Sequence, residues 1–288
     1  MNLEILRITE SSPIRTWKKE RIKDFVTEEE VLTIFIDGIE FASVLCTPKN
    51  LKELAVGFLF SNGLINSLSE ISTTCPTACP TVSNRRAIGK RVVLNEKNIS
   101  VSVDLINPRK LSFPFRKLYP ALPQGLFRKG WVYTSGCGRG VILKTIDSPT
   151  IKNGLKISAE KIFEQMSKFQ DMSCEFKKTG GVHSAGIYDG KKISIFAEDI
   201  GRHNAVDKII GKALIDGVDT KSMILFTSGR VSSDIIQKVL RAKIPVIVSH
   251  SAPTSEAVKL CKEKNITLIG FARGRRMNIY SGEKRIGN

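Results

Sequence analysis

The spacing of apolar residues changes about halfway along the chain. Before residue 130, apolar and polar residues alternate over 33–45 and 91–105, and the first of these segments predicts a hairpin that turns at Asp37-Gly38. One helical repeat lies between them, and Gly63 ends it. The repeat is formed by Leu51, Leu54, Ala55, Phe58 and Leu59. We therefore expect a strand-rich N-terminal part that contains one helix.

From about residue 156 the pattern predicts helices and strands in alternation. Predicted helices cover 157–169, 206–214, 231–240 and 256–264, and predicted strands cover 180–188, 193–197, 223–227, 245–249 and 266–271. Strand–helix–strand repeats are typical of an α/β fold with helices covering a mostly parallel sheet. We divide the chain into 1–130, the strand-rich part with a basic linker over 106–130, and 131–288, the α/β core.

The charge of the chain narrows the class of partner. Its 288 residues include 45 Lys and Arg against 28 Asp and Glu, a net charge of +17. Such a field favours nucleic acid, phosphorylated cofactors or an acidic protein surface, although solubility alone also accounts for it. Aromatic residues make up only 7% of the chain and no nucleic-acid-reading motif is recognisable, which disfavours nucleic acid.

The N-terminus and the cysteines indicate the compartment. Residues 1–25 lack the continuous apolar region of a signal peptide, and no run approaches the roughly 18 apolar residues of a membrane helix. The six cysteines are scattered through a long chain, so we expect no disulfide scaffold. These features predict a cytoplasmic protein that does not associate with membranes.

One cysteine stands in an unusual setting, the segment Tyr133-Thr134-Ser135-Gly136-Cys137-Gly138-Arg139-Gly140. Glycines allow close approach to the thiol, and the neighbouring Arg139 favours the thiolate, which is the reactive form. A buried, inert cysteine is the alternative interpretation. We take Cys137 as the candidate catalytic residue.

Three loops that follow predicted strands are rich in hydroxyl-bearing and cationic residues. They are Ser228-Gly229-Arg230, the segment 250–255, and the segment formed by Phe271, Ala272, Arg273, Gly274, Arg275 and Arg276. Ligands of open α/β sheets bind at the carboxyl ends of strands, where helix N-termini and arginines favour phosphate. The loops predict a phosphate-binding rim, although the Ser and Thr residues could individually be helix N-caps.

A fourth polar stretch, 198–207, contains further candidates. Asn204 and Asp207 suit the cap and first turn of a helix, which leaves Arg202 and His203 to bind an anion or move a proton. A purely structural role for His203 stays open, and the role of His183 is equally open. Cys75 and Cys79 lack the spacing of a zinc pair, so we interpret them as exposed thiols and predict no resident metal.

Several of these segments together resemble the formate dehydrogenase accessory sulfurtransferase family, FdhD. The resemblance covers residue 30 to the C-terminus. It rests on Thr47-Pro48, 54–59, Ser135-Gly136-Cys137-Gly138, 179–185, 198–208, 227–230, Ser251-Ala252-Pro253-Thr254-Ser255 and 270–274.

The resemblance implies a cytidine-deaminase-like, three-layer core and a sulfur carrier function. Cys137 would take sulfane sulfur from a cysteine desulfurase as a persulfide. The sulfur would then reach the molybdenum cofactor, in its bis-molybdopterin guanine dinucleotide form, bound as substrate before insertion into formate dehydrogenase. The family's nucleotide-binding segment falls on 271–276, and a homodimer is expected. The alternative is a non-catalytic chaperone for the cofactor or a guanine nucleotide.

The chain departs from the family pattern at one position. Some members carry a Cys-x-x-Cys loop, but Gly140 occupies the second cysteine position here, so the loop cannot form an internal disulfide. The His-x-Glu and Pro-Cys-x-x-Cys zinc signature of deaminases is also missing from the sequence, so deaminase chemistry does not accompany the fold.

Overall fold

The computed structural model describes residues 1–11, 16–36, 39–70, 92–95, 100–103, 131–133, 150–152 and 154–287. Cys75, Cys79 and Cys137 lie outside this part of the chain. The predictions made for these three cysteines therefore stay predictions.

The described residues form strands and helices with the following bounds. The strands are β1 (Asn2–Ser11), β2 (Thr16–Phe25), β3 (Glu30–Ile36), β4 (Ile39–Cys46), β5 (Val92–Asn95), β6 (Ser100–Val103), β7 (Trp131–Tyr133), β8 (Ile157–Ser158), β9 (His183–Tyr188), β10 (Ile193–Asp199), β11 (Ile224–Thr227), β12 (Val246–Ser249), β13 (Thr267–Arg273), β14 (Arg276–Ser281) and β15 (Ile286–Gly287). The helices are α1 (Leu51–Ser61), α2 (Ala159–Met172), α3 (Cys174–Thr179), α4 (Arg202–Ile215), α5 (Ser233–Arg241) and α6 (Ser255–Lys264).

The central sheet has six strands in the order β10-β9-β11-β12-β13-β14. Only β11–β12 and β12–β13 are parallel pairs, and the other three pairs are antiparallel. The expectation of a mostly parallel sheet is therefore wrong. The reason is that β9–β10 and β13–β14 are hairpins with short turns, and such turns join only antiparallel strands.

Helices cover both faces of this sheet, as the sequence predicts for an α/β fold. On one face, α1, α4, α5 and α6 pack with Ala185, Ile187, Leu225, Ile247 and Leu268. On the other, α2 places Ile162, Met166 and Phe169 against Phe226, Val248 and Ile269. Each strand contributes side chains to both faces in alternation, because successive side chains of a strand point to opposite faces. The result is a three-layer core.

A second sheet of five strands, in the order β5-β6-β3-β4-β7, occupies the N-terminal part. The predicted hairpin is confirmed, since β3 and β4 are antiparallel with Ile36 opposite Ile39. The edge strand β7 pairs with β4, so Trp131–Tyr133 belongs to this sheet. The division into two parts near residue 130 stays a prediction, because the segments on either side of β7 lie outside the described residues.

Residues 32–65 and 151–268 contribute to one apolar core, in which helices α1 and α4 pack against each other. A Cβ added at Gly57 of α1 would overlap the carbonyl oxygen of Asp207, and one added at Gly211 of α4 would overlap the carbonyl oxygen of Glu53. The helix backbones therefore touch at two glycines. This close crossing requires residues without a side chain.

Helix α3 and strand β14 are among the elements that the sequence pattern did not reveal. Helix α3 follows α2 after Ser173 alone, and β14 returns from β13 through a turn at Gly274-Arg275. The segment 266–271 is therefore not the last strand. Among the residues that the structure describes, no helix is long and apolar enough to cross a membrane.

Candidate functional site

The predicted rim lies at one edge of the central sheet. Strands β11, β12 and β13 are adjacent and parallel, so their carboxyl ends share this edge. We call the segments 228–232, 250–254 and 271–275 the carboxyl-edge loops. Backbone hydrogen bonds join them: the amide of His250 donates to the Thr227 carbonyl at 3.0 Å and that of Phe271 to the Ser251 carbonyl at 3.1 Å. The edge is therefore one continuous surface.

Arg273 is fixed in place on this surface. Its Nε donates to the carbonyl oxygen of His250 at 2.9 Å, and its guanidinium lies 5.7 Å from the ring centre of Phe271. Phe271 itself has a φ of +51°, in the left-handed region that a bulky side chain seldom adopts. Backbone strain of this kind is concentrated at ligand-binding sites and turns.

The remaining residues of the predicted segment 271–276 divide into a buried group and an exposed group. Ala272 is fully buried and packs in the core beneath α2, so its side chain does not reach the edge. Gly274 and Arg275 form the β13–β14 turn, and Arg276 begins β14; all three are exposed. Within the described part of the chain, no carboxylate forms an ion pair with Arg230, Arg273, Arg275 or Arg276. These guanidiniums are available to an anion.

Ser228 is positioned by the neighbouring strand β9. Its Oγ accepts a hydrogen bond from the Ser184 amide at 2.9 Å and lies 3.4 Å from Nδ1 of His183. The next residue, Gly229, lies against Arg202, because a Cβ there would stand 2.8 Å from the Cβ of Arg202. The structure therefore gathers Arg202, His183 and Ser228 beside the carboxyl-edge loops, while the Arg230 side chain is exposed.

The pKa values of His183 and of the neighbouring His203 are both held below the usual range of histidine. Burial lowers the pKa of His183, and the charges of Arg202 and Arg230 lower it further. Burial also lowers the pKa of His203, to about 3, with smaller contributions from Lys238 and Arg202. Nε2 of His203 is buried and has no hydrogen-bond partner among the described residues. His203 therefore adds no positive charge to the rim.

The predicted cap at Asn204 and Asp207 is wrong. Helix α4 begins at Arg202 with Gly201 at its N-cap, so Arg202 and His203 are its first residues. Asn204 instead donates from Nδ2 to Leu45 O and to Asp199 Oδ1, both at 2.8 Å. Asp207 accepts from Nζ of Lys238 at 2.7 Å. The side chains of Asn204 and Asp207 thus bind residues that are distant in sequence and do not cap the helix.

A buried network that the sequence analysis did not identify supports the start of α4. Asp199 accepts from the Gly201 amide at 2.9 Å through Oδ1, and its Oδ2 lies 2.6 Å from Nζ of Lys208. Lys208 also donates to Oγ1 of Thr47 at 2.8 Å. The available signal was Lys208, a lysine next to the apolar positions Ile209 and Ile210 of a predicted helix. The network holds Arg202 at the site.

The hydroxyl groups near the rim have different functions. Oγ1 of Thr254 accepts from the Ala257 amide and caps α6, as the capping interpretation holds. Ser249, the last residue of β12, donates from Oγ to the Gly229 carbonyl at 2.8 Å and so connects β12 to the carboxyl-edge loop 228–232. Ser232 occupies the N-cap position of α5 without a side-chain cap bond. The site as a whole offers arginines and hydroxyls on a rigid edge, which suits a phosphate-bearing ligand.

Comparisons with known proteins identify the family of the chain. The model of the FdhD/NarQ family matches residues 27–112 and 114–287. The sulfur carrier protein FdhD of Listeria innocua is 35% identical over 268 residues, which cover 93% of each chain. That of Bacillus subtilis is 34% identical over 272 residues, 92% of each chain.

A solved structure shows the same fold. A crystal structure from Desulfotalea psychrophila, described as a formate dehydrogenase accessory protein, superposes with a TM-score of 0.68 at 21% identity. The match covers 99% of this chain and 100% of that one. With the family model spanning nearly the whole chain and relatives above 30% identity along its length, the chain belongs to the FdhD/NarQ family.

Proposed function

We propose that this protein is a sulfur carrier that serves formate dehydrogenase. It takes sulfane sulfur from a cysteine desulfurase on Cys137 and passes it to the molybdenum cofactor in its bis-molybdopterin guanine dinucleotide form. The observation that carries the proposal is the rim of Ser228, Arg230 and Arg273 in a chain whose relatives are named sulfur carrier proteins. A phosphate-binding edge and a reactive thiol are the two parts that such a carrier needs.

The transfer is a thiol–persulfide exchange with no net oxidation. The Cys137 thiolate attacks the terminal sulfur of the donor's cysteine persulfide. A new S–S bond forms, the donor's S–S bond breaks, and the donor cysteine leaves as a thiolate. In the second transfer, an electron-rich acceptor of the reduced cofactor would supply the electron pair that bonds to the terminal sulfur. The S–S bond of the Cys137 persulfide then breaks, and Cys137 leaves as the thiolate. Because Gly140 replaces a second loop cysteine, no thiol within this loop can resolve the persulfide.

The burial of two of the three cysteines that the structure describes favours the choice of Cys137. Cys46 and Cys261 are buried, and burial is the main cause that raises the pKa of each to about 12. A thiol with such a pKa is almost entirely protonated at neutral pH and is a poor nucleophile. Cys174 is exposed, at the start of α3, and is the competing candidate among the described cysteines.

The carboxyl edge suits the phosphates of the guanine dinucleotide. Arg273 is anchored through Nε, so its terminal nitrogens can form a bidentate contact with a phosphate. The exposed Arg230, Arg275 and Arg276 add charge along the same edge. The three-layer arrangement is compatible with the cytidine-deaminase-like core, which we keep as part of the proposal together with the cytoplasmic location.

The homodimer is also part of the proposal, and the ribbon formed by β1 and β2 is its candidate surface. These strands form a separate two-stranded sheet, a structure that is only marginally stable in water by itself. Leu6, Ile8 and Trp17 stand on one face of it and are exposed by 56%, 53% and 66%. An apolar face of this kind favours a partner.

Charge on the same face favours a second copy of this chain. On this face β1 carries acidic residues and β2 carries basic ones: Glu4, Glu10, Lys19, Arg21 and Lys23. In a symmetric pair whose two-fold axis runs along the strands, β1 of each copy faces β2 of the other, so opposite charges meet. We expect Leu6→Glu with Ile8→Glu to lower the molar mass measured by light scattering. An unchanged molar mass would show that the β1–β2 ribbon is not the dimer interface.

Mass spectrometry tests the carrier function directly. The protein is incubated with a cysteine desulfurase and cysteine, and each cysteine-containing peptide is examined for one added sulfur atom. We expect the sulfur on Cys137, its loss in Cys137→Ser, and its retention in the control Cys174→Ser. The same variants are tested for formate dehydrogenase activation in cells. Sulfur on Cys174, Cys75 or Cys79 instead of Cys137 would move the carrier site to that cysteine. Full activation by Cys137→Ser would reject Cys137 as the carrier, and such activation together with guanine-nucleotide binding would indicate the chaperone instead.

A further inference from the structure

A cavity of about 430 Å³ lies at the opposite edge of the central sheet. It is lined by 154–156, by Asn265, which precedes β13, and by 282–285. We call it the amino-edge cavity. Its volume falls within the range of small-molecule sites, about 300–1,000 Å³. It is separate from the carboxyl-edge loops, because β13 runs between the two edges.

The shape of the cavity depends on the turn after β14. Gly282 has a φ of +67°, and a Cβ there would stand 2.5 Å from Oγ1 of Thr267. Oγ1 of Thr267 donates to the Gly282 carbonyl at 2.8 Å, which holds the turn against the start of β13. Only glycine is compatible with both constraints. The turn thereby directs Arg285 toward Thr267.

Arg285 is a buried cation with neutral partners. Only 6% of its surface is exposed. Its Nη1 donates to Oγ1 of Thr267 at 3.3 Å and to Oδ1 of Asn265 at 3.5 Å, and its Nε is buried without a hydrogen bond among the described residues. No carboxylate of the described chain forms an ion pair with it, and burial lowers its pKa. Buried charges are normally paired, so this guanidinium lacks a counter-ion.

The other charged residues of the cavity also favour an anionic ligand. Lys156, Lys284 and Arg285 against Glu283 leave two positive charges in its lining. The carboxyl end of α6, at Lys264, adjoins Asn265 and offsets only about half an elementary charge. A phosphate monoester carries about −1.5 to −2 at neutral pH, which matches this balance better than a single carboxylate does.

We propose that the amino-edge cavity binds a phosphate-bearing small molecule, with Arg285 at its base and Lys156 and Lys284 at its mouth. The planar guanidinium offers parallel N–H donors to two phosphate oxygens, and the lysines, which are exposed, close on the outer oxygens. The site is independent of the proposed sulfur carrier function, since it uses none of the carboxyl-edge residues or Cys137.

Titration calorimetry of the full chain with inorganic pyrophosphate tests the site, with inorganic phosphate as the smaller probe. The double variant Lys156→Gln with Lys284→Gln removes two exposed charges and should leave the fold intact. We expect it to weaken pyrophosphate binding by about tenfold. The control Lys262→Gln removes an exposed charge of α6 outside the cavity lining and should bind as the parent does.

Arg285→Met is the stronger test, but it also removes hydrogen bonds to Thr267 and Asn265. Its melting temperature is therefore measured first, and Arg285→Lys, which keeps the charge, serves as its partner variant. We expect a loss of at least about tenfold in Arg285→Met and partial retention in Arg285→Lys. Hydrogen exchange should show protection at 154–156 and 282–285 when pyrophosphate is added.

Three results would overturn the proposal. The first is the lack of pyrophosphate binding at millimolar concentration by the parent protein. The second is unchanged binding by the double lysine variant. The third is binding that Arg230→Gln with Arg273→Gln abolishes while the double lysine variant retains it, because this would place the anion at the carboxyl edge.

Discussion

Nζ of Lys208 lies 2.6 Å from Oδ2 of Asp199, and neither side chain has any exposed surface. The pair connects helix α4 to the end of β10. Thr47 completes it, because its amide donates to Asp199 Oδ2 at 3.1 Å and its Oγ1 accepts from Lys208 at 2.8 Å. The N-terminal part and the α/β core are therefore joined by a charged contact at the base of the candidate site.

Removal of one partner of this pair should be strongly destabilising. Lys208→Met leaves the Asp199 carboxylate buried without its cation, so we expect the free energy of unfolding to fall by about 3–5 kcal/mol. Urea denaturation followed by circular dichroism measures the change. Lys212→Met, which breaks the exposed pair with Asp216, is the matched control and should cost less than about 1 kcal/mol. Equal losses in the free energy of unfolding of the two variants would show that the buried pair stabilises the fold no more than the exposed pair does.

The contact between α1 and α4 predicts a second stability difference. In Gly57→Ala the new methyl group would overlap the Asp207 carbonyl, so the helices must separate. We expect a loss of about 3 kcal/mol, at the upper end of what overpacking causes. Gly154→Ala places its Cβ in open space and should change the free energy of unfolding by less than about 1 kcal/mol. A tolerated Gly57→Ala would contradict the close crossing.

Stability should fall below neutral pH because of His203. Its pKa is about 3 in the fold, with burial as the main cause, and about 6.5 in the unfolded chain. Between these values the unfolded chain binds a proton that the fold excludes. Stability is therefore full above pH 6.5 and decreases as the pH falls, by about 1–2 kcal/mol at pH 5.

His203→Gln should flatten this part of the stability curve, measured by urea denaturation between pH 5 and pH 8. The difference between the parent and the variant isolates the histidine, because Asp207, whose pKa burial raises, is present in both. Burial lowers the pKa of His250 too, but this side chain is less buried than His203, so His250→Gln should remove less of the slope. Parallel curves for the parent and His203→Gln would mean that His203 is not held neutral by the fold.

The rim arginines should determine guanine-nucleotide affinity. We expect Arg273→Gln to weaken the binding of GDP by about tenfold, because a charged bidentate contact to phosphate is lost. Calorimetry at two salt concentrations measures the effect, and the parent should show the steeper salt dependence. Lys191→Gln removes an exposed charge in the β9–β10 turn and is the control. GDP affinity unchanged by Arg273→Gln would exclude Arg273 from the nucleotide site.

Alkylation should separate the cysteines by burial. In the native protein at pH 7.5, we expect iodoacetamide to label Cys174 within minutes and to leave Cys46 and Cys261 unmodified. The reason is that the buried thiols, with pKa values of about 12, are both inaccessible and protonated. Addition of urea should expose them, which is the internal control. Early labelling of Cys261 would show that α6 opens locally.

The sequence predicted which residue types lie at the carboxyl edge better than it predicted their hydrogen-bond partners or the neighbouring strands. Arg230 and Arg273 reach this edge as expected, since each follows an apolar run that forms a buried strand. The prediction was wrong for Asn204, because the competing acceptor at Asp199 becomes its neighbour only when β10 and α4 pack. Strand β14 was missed because its exposed residues do not show the alternation typical of a half-buried strand.

The sequence by itself determined most of the helices and strands of the α/β core and which residue types meet at the carboxyl edge. Local spacing carries this information, because periodicity and turn residues act over a few positions. The tertiary structure decided the pairing of Lys208 with Asp199 and Thr47, the contact of Gly57 with Asp207, and the isolation of Arg285 from carboxylates. These contacts join residues that are up to about 160 positions apart, and their energy depends on burial, which is set only when distant segments pack.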